Sequence, residues 1–170
     1  MDKRLCVFIL LVLTLKVYSQ NLEQKISALP VFNELASTKT PFDWIITPEK
    51  SKAEVYASAD RKSIIIANAM VWRTLRVLPN LATTDYVNRM TGERMLRFVE
   101  GEGSICIDGK NYSIGGLQGQ QERGYLLEDW IEGMTTKDSA FIVEDFEIRP
   151  IQEKFHWKRN RWAFNTELPT

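Results

Sequence analysis

Between Ser63 and Gly116 the chain reads SIIIANAMVWRTLRVLPNLATTDYVNRMTGERMLRFVEGEGSICIDGKNYSIGG. Turn signals at Pro79-Asn80, Thr91-Gly92, Gly101-Glu102-Gly103 and Asp108-Gly109 cut this stretch into short apolar or alternating runs. No run is long enough for an ordinary helix, and the spacing of the turns is that of an antiparallel all-β sheet. The chain is therefore expected to be mainly β, with this stretch as the sheet around which the rest is arranged.

Just ahead of it, Ala53–Ser58 reads as a strand and Ala59–Lys62 as its turn. The β-branched run Ser63–Ala69, with Ile64, Ile65 and Ile66 in succession, predicts a strand covered on both faces. Met70–Leu78 and Ala82–Asn88 alternate, with one buried and one wet face, and Met95–Val99 is expected to follow as a further strand. Asp108-Gly109 between Ile105/Ile107 and Tyr112/Ile114 is the type I′ hairpin signal, because both central residues must accept positive φ. Gly115–Gln120 is expected to be an irregular surface loop; it lacks the GxxxxGK[ST] pattern of a phosphate cradle.

At 170 residues the chain supports one domain with a packed core. Lys plus Arg and Asp plus Glu balance at 22 each, so no global field favours nucleic acid or an anionic membrane, and no nucleic-acid partner is expected.

The N-terminus predicts the compartment. Lys3 and Arg4 form a basic region, Leu5 to Leu15 an apolar core, and Val17-Tyr18-Ser19 a cleavage site before Gln20. Residues 1–19 thus read as a secretory signal helix, too short in its apolar core for a comfortable membrane span. The product is expected to be secreted or periplasmic, with no stable span after cleavage. Loss of Cys6 leaves Cys106 alone, so no internal disulfide forms; between Ile105 and Ile107 it reads as a buried, inert strand residue. His156 is the only histidine, too few for a His-rich zinc site, and neither a metal nor a cofactor is expected.

Residues 20–52 form a lead-in, in which Leu22, Ile26, Leu29 and Phe32–Leu35 are spaced for a short amphipathic turn or two before Pro30 and Pro41 interrupt. The domain proper is expected over 53–170. Tyr125–Met134 carries Leu126, Leu127, Trp130, Ile131 and Met134 at helical spacing and predicts a short helical insertion closing at Gly133. Ala140–Ile148 returns to strand character, and Trp162–Thr170 reads as the approach to another strand.

Two groups of acids invite a catalytic reading, Glu128-Asp129 with Glu132 and Glu144-Asp145 with Glu147, because glycosidases need two carboxyls flanking a sugar. Nothing in their spacing pairs them, so solvated or structural acids are expected and no catalytic residue is assigned. Trp130, Trp157 and Trp162 are candidate carbohydrate-binding rings, against the alternative that they pack internally.

One longer pattern resembles a known family. The residues are Asn80-x-Ala82-Thr83-x-Asp85-Tyr86-x-Asn88-x-Met90-Thr91-Gly92-Glu93, then Ile107-Asp108-Gly109-Lys110-x-Tyr112, then Gly115-Gly116-Leu117-x-Gly119-Gln120. With Tyr125-Leu126-x-x-x-Trp130 and Trp157-Lys158-Arg159, they resemble the N-terminal β-sandwich of large secreted bacterial α-galactosidases of the melibiase-like type. The resemblance covers most of Ile45 to Lys158. It implies an antiparallel, supersandwich-like fold preceding a (β/α)₈ barrel that supplies both catalytic carboxylates. This chain stops at Thr170, before any barrel, so the resemblance implies a non-catalytic fragment or accessory piece, partnered by carbohydrate or by the barrel. A stand-alone carbohydrate-binding module and an envelope structural protein without sugar affinity are the rival expectations.

Overall fold

The computed structural model describes residues 21–34, 52–121, 124–150 and 152. Residues 1–19, expected to be a signal segment, most of the later lead-in, His156, Trp157 and Trp162 lie outside them. The fold is mainly β, in antiparallel sheets with two short helices. Strands β1 (Glu54–Ala57), β2 (Ser63–Ala67), β3 (Val71–Arg76), β4 (Ala82–Asn88) and β5 (Glu93–Arg94) form a five-stranded sheet in chain order. Strands β6 (Gly103–Ile107), β7 (Lys110–Ile114) and β10 (Ala140–Phe141) form a second sheet, ordered β10-β7-β6. A ribbon pairs β8 (Leu117–Gln118) with β9 (Thr135–Thr136). Every pairing between these strands is antiparallel except that of β10 with β7.

The lead-in helix α1, residues 21–28, buries Leu22 and Ile26 against Ala57, Ile64 and Val77, with Leu29 alongside. Ile26 is fully buried, which stabilises by about 2 kcal/mol. The helix ends where Pro30 withholds a donor, and Arg61 from the β1–β2 turn donates to the carbonyls of Ile26, Ser27 and Leu29 at 3.3, 3.2 and 2.8 Å. A guanidinium there satisfies orphan carbonyls and complements the negative helix end. The chain then runs beside β1: the Ala57 amide donates to Pro30 O and the Phe32 amide to Ala57 O. Phe32 rounds the sheet edge and meets Tyr56 and Trp72 edge-on, each at 5.4 Å, in a second cluster with Ile65, Ala67 and Val87.

One irregularity sets which side chains are buried. Thr74 pairs with Asp85 but Leu75 pairs with Thr83, so Thr84 has no opposite residue. Strict alternation would put Ala82 and Val87, five apart, on opposite faces. The bulge brings both to the face of Trp72 and Arg76. Ala82 thereby joins a third cluster with Val99, Leu117 and Met134, against which Leu126 and Trp130 pack.

Several expectations are corrected. Met95–Val99 is not a strand: β5 ends at Arg94 with the Met95 amide still on Tyr86 O, and Val99 is pulled into the third cluster. Gly115–Gln120 is not a surface loop; Gly115, Gly116 and Leu117 are buried and β8 forms there. The Gly116 amide donates to Leu81 O at 2.7 Å, an approach that needs a residue without a side chain at Gly115. The helix in Tyr125–Met134 shrinks to one turn, α2 (Glu128–Ile131). Of Ala140–Ile148 only Ala140–Phe141 pairs, because Val143 and Phe146 leave the sheet to pack against the α1 cluster. Ile66 is 39% exposed, so the three isoleucines are not covered on both faces. Cys106 is exposed, not buried: the whole of β6 stands out of the core.

Candidate docking surface

Two loops after β5 and before α2 lie side by side and form a shoulder on the domain. Val99 and Leu126 anchor them in the third cluster. The Val99 amide donates to Gln120 Oε1 at 3.0 Å, and Gln120 Nε2 donates to Arg97 O at 3.4 Å, so the first loop is tied down at two points. Arg94 crosses between the loops, reaching Asp85 at 3.3 Å and Glu128 at 2.9 Å. Arg97 lies over the ring of Tyr125, 5.6 Å from its centroid. With the backbone held this way, apolar groups still face water: Tyr125 is 73% exposed, Leu127 52% and Met95 48%.

Beneath the shoulder sits Asp85. Burial raises its carboxyl above the ordinary aspartate range, while the positive charge of Arg94 and a hydrogen bond from Trp72 act against that rise. Its side chain, 16% exposed, is held by these two contacts.

Four of the six acids singled out by sequence are engaged by bases. Glu128 holds Arg94. Glu132 receives Lys62 at 2.6 Å and the buried Arg76 at 2.7 Å; these bonds, that of Lys62 foremost, keep its carboxyl below the usual glutamate range. Arg76 also pairs with Asp60 at 2.9 Å and donates to Leu78 O. Both carboxylate oxygens of Asp145 accept from Lys25, at 2.6 and 2.7 Å, and these bonds chiefly lower its carboxyl. Glu147 pairs with Arg149. A general acid needs the opposite tuning, a carboxyl raised toward neutrality. Among the described residues no three His, Cys, Asp or Glu side chains come close enough to hold a metal ion, and no helix is long and apolar enough to cross a membrane.

Trp130 is half-buried against the third cluster, so much of its ring is spent on packing. It is not brought together with Trp157 or Trp162, which lie outside the described residues. Sequence reasoning missed Asn80, whose fully buried amide joins the entry of β4 to the 141–143 segment, and Arg94, which pairs with Asp85 and Glu128. The hairpin of β6 and β7, expected from its turn, carries a second exposed surface that the alternation did not announce. There Ile105, Ile107, Ile114 and Phe141 are 42–48% exposed on one sheet face, and Tyr112 meets Phe141 at 5.7 Å. Compared with protein-family models, with curated proteins and with solved structures, the chain finds no match.

Proposed function

We propose that this chain is a non-catalytic β domain of sandwich type belonging to a secreted or periplasmic glycoside hydrolase that acts on α-galactosides. In this reading it borders a catalytic (β/α)₈ barrel and breaks no bond itself. The observation that carries it is the shoulder: an aromatic and aliphatic surface of Tyr125, Leu127 and Met95, rimmed by Arg94, Arg97 and Glu128. Apolar side chains held outward by a tied backbone are the mark of a surface made to be covered. The neutralised acids support the non-catalytic part, since Glu132 and Asp145 are tuned away from proton donation. The resemblance carried by Asn80–Glu93 and Gly115–Gln120 supplies the partner class.

The test has two arms. Purified chain is expected to release no nitrophenol from an aryl α-galactoside, and hydrolysis above buffer would overturn the non-catalytic reading. The nucleotide sequence beyond Thr170 is expected to encode a barrel; that barrel, expressed alone, should bind the chain, with Leu127→Glu weakening binding at least tenfold. Absence of a barrel frame, or of binding, removes the docking reading. A stand-alone carbohydrate-binding module is the second reading, favoured by the exposure of the Tyr125 ring; binding on a glycan array that Tyr125→Ala abolishes would select it.

A further inference from the structure

We propose that β6 is a self-association edge, and that its partner is β6 of a second copy of this chain, running antiparallel about a two-fold axis at Cys106. The surface lies on β6 and is separate from the shoulder, so the proposal stands whether or not the docking reading does.

Backbone geometry comes first. Ile107 and Lys110 close a two-residue turn at Asp108-Gly109, whose φ values of 51° and 75° define the I′ class. The closing pair of such a hairpin is hydrogen-bonded, so Ile107 and Ile105 direct their peptide groups inward to β7. Ser104 and Cys106 therefore direct theirs outward. Among the described residues no strand pairs with that side, because β6 ends the order β10-β7-β6.

Natural edges are guarded by a proline, a charge or a bulge. Gly103–Ile107 contains neither proline nor charge, and its ladder to β7 runs without a register shift. The missing charge matters for the choice of occupant: two copies of this strand meet without like-charge repulsion. Placing the axis at Cys106 opposes Ile105 to Ile107 of the second copy on the apolar face. Each such pair covers flanks that are now 43% exposed. It also joins two three-stranded sheets into one, with Phe141, Ile114, Tyr112 and the isoleucines as a continuous face. Cys106 then faces its own copy as a hydrogen-bonded pair with Cα atoms about 5.5 Å apart, within the range that a disulfide spans.

With the axis at Cys106 only Ile105–Ile107 of each five-residue β6 overlap, Ser104 falling opposite the Asp108 turn, so the pairing buries a few hundred Å² at most, short of the ~1,200 Å² of a stable interface. The association is accordingly weak and concentration-dependent, and Cys106 serves to trap it. In an oxidised glutathione buffer the purified chain is expected to form a dimer that dithiothreitol reverses. Sedimentation equilibrium on Cys106→Ser should still show mass rising with concentration. Ile105→Lys, an edge charge at an exposed site, should slow cross-linking at least tenfold and hold the mass at that of one chain. Moving the thiol one strand inward on the same face, in Cys106→Ser with Asn111→Cys, should slow it equally and does not depend on how Ile105→Lys folds. A mass that stays monomeric as concentration rises overturns the proposal, and so does cross-linking of the moved thiol at the wild-type rate.

Discussion

Replacing Asn80 by alanine tests how the five-stranded sheet is fastened to the β10 segment. The Asn80 side chain is 0% exposed. Its Oδ1 accepts from the amides of Leu81 at 2.8 Å and Val143 at 3.1 Å, and its Nδ2 donates to Phe141 O at 3.1 Å. It thus fastens β10 and the segment that follows it to the entry of β4, and with it the packing of Val143 and Phe146 on the α1 cluster. Truncation removes three bonds at about 1 kcal/mol each. The backbone groups left behind, together with the void, bring the cost to roughly 4 kcal/mol. For a chain of this size that corresponds to a fall in Tm of about 10 °C. Thermal and urea unfolding measure it, and amide exchange locates it: Val143 and Leu81 should lose protection before the amides of β2 and β3. Asn80→Asp is informative as a partner variant, since it keeps the acceptor, loses the donor and buries a charge. A loss below ~1 kcal/mol in Asn80→Ala, with Val143 protection unchanged, would refute the idea that this amide is the fastener.

Two further outcomes follow from the same geometry. Gly115→Ala should cost about 2 kcal/mol or more, because φ is +64° and the new Cβ would press into the Leu81 carbonyl; Gly109→Ala, at φ +75° with no atom within 4 Å, should cost about half as much by urea denaturation; equal losses would count against the steric account. Asp85→Asn tests linkage. A carboxyl whose pKa is raised by folding favours the folded state below its unfolded value and opposes it as pH rises through the folded value. The variant should therefore gain on the wild type at neutral pH, with the gap closing as pH falls toward 4; a gap that widens on acidification would show that the attraction of Arg94 outweighs burial.

Much of the fold was legible in the chain. Alternation in Ala82–Asn88, the β-branched run from Ser63 and the Asp108-Gly109 signal each produced the strand or turn they predict, since period and turn chemistry are local properties. Leu22, Ile26 and Leu29 announced α1 by their spacing alone. Site chemistry was less accessible. The acids of α2 and of 144–147 read the same whether paired or solvated, and only the approach of Lys62, Arg76 and Lys25 from distant sequence set their tuning.

What the residues determined unaided is the class: a mainly β chain, with its strands cut to length by glycine, proline and asparagine. Tertiary structure decided which of those strands are covered. The bulge at Thr84 turned Val87 inward, the third cluster drew Val99 out of strand pairing, and β6 was left standing in water with Cys106 exposed. An isoleucine in alternation has the same local preference on a covered sheet as on an open one; what lies across from it is set by parts of the chain far away in sequence.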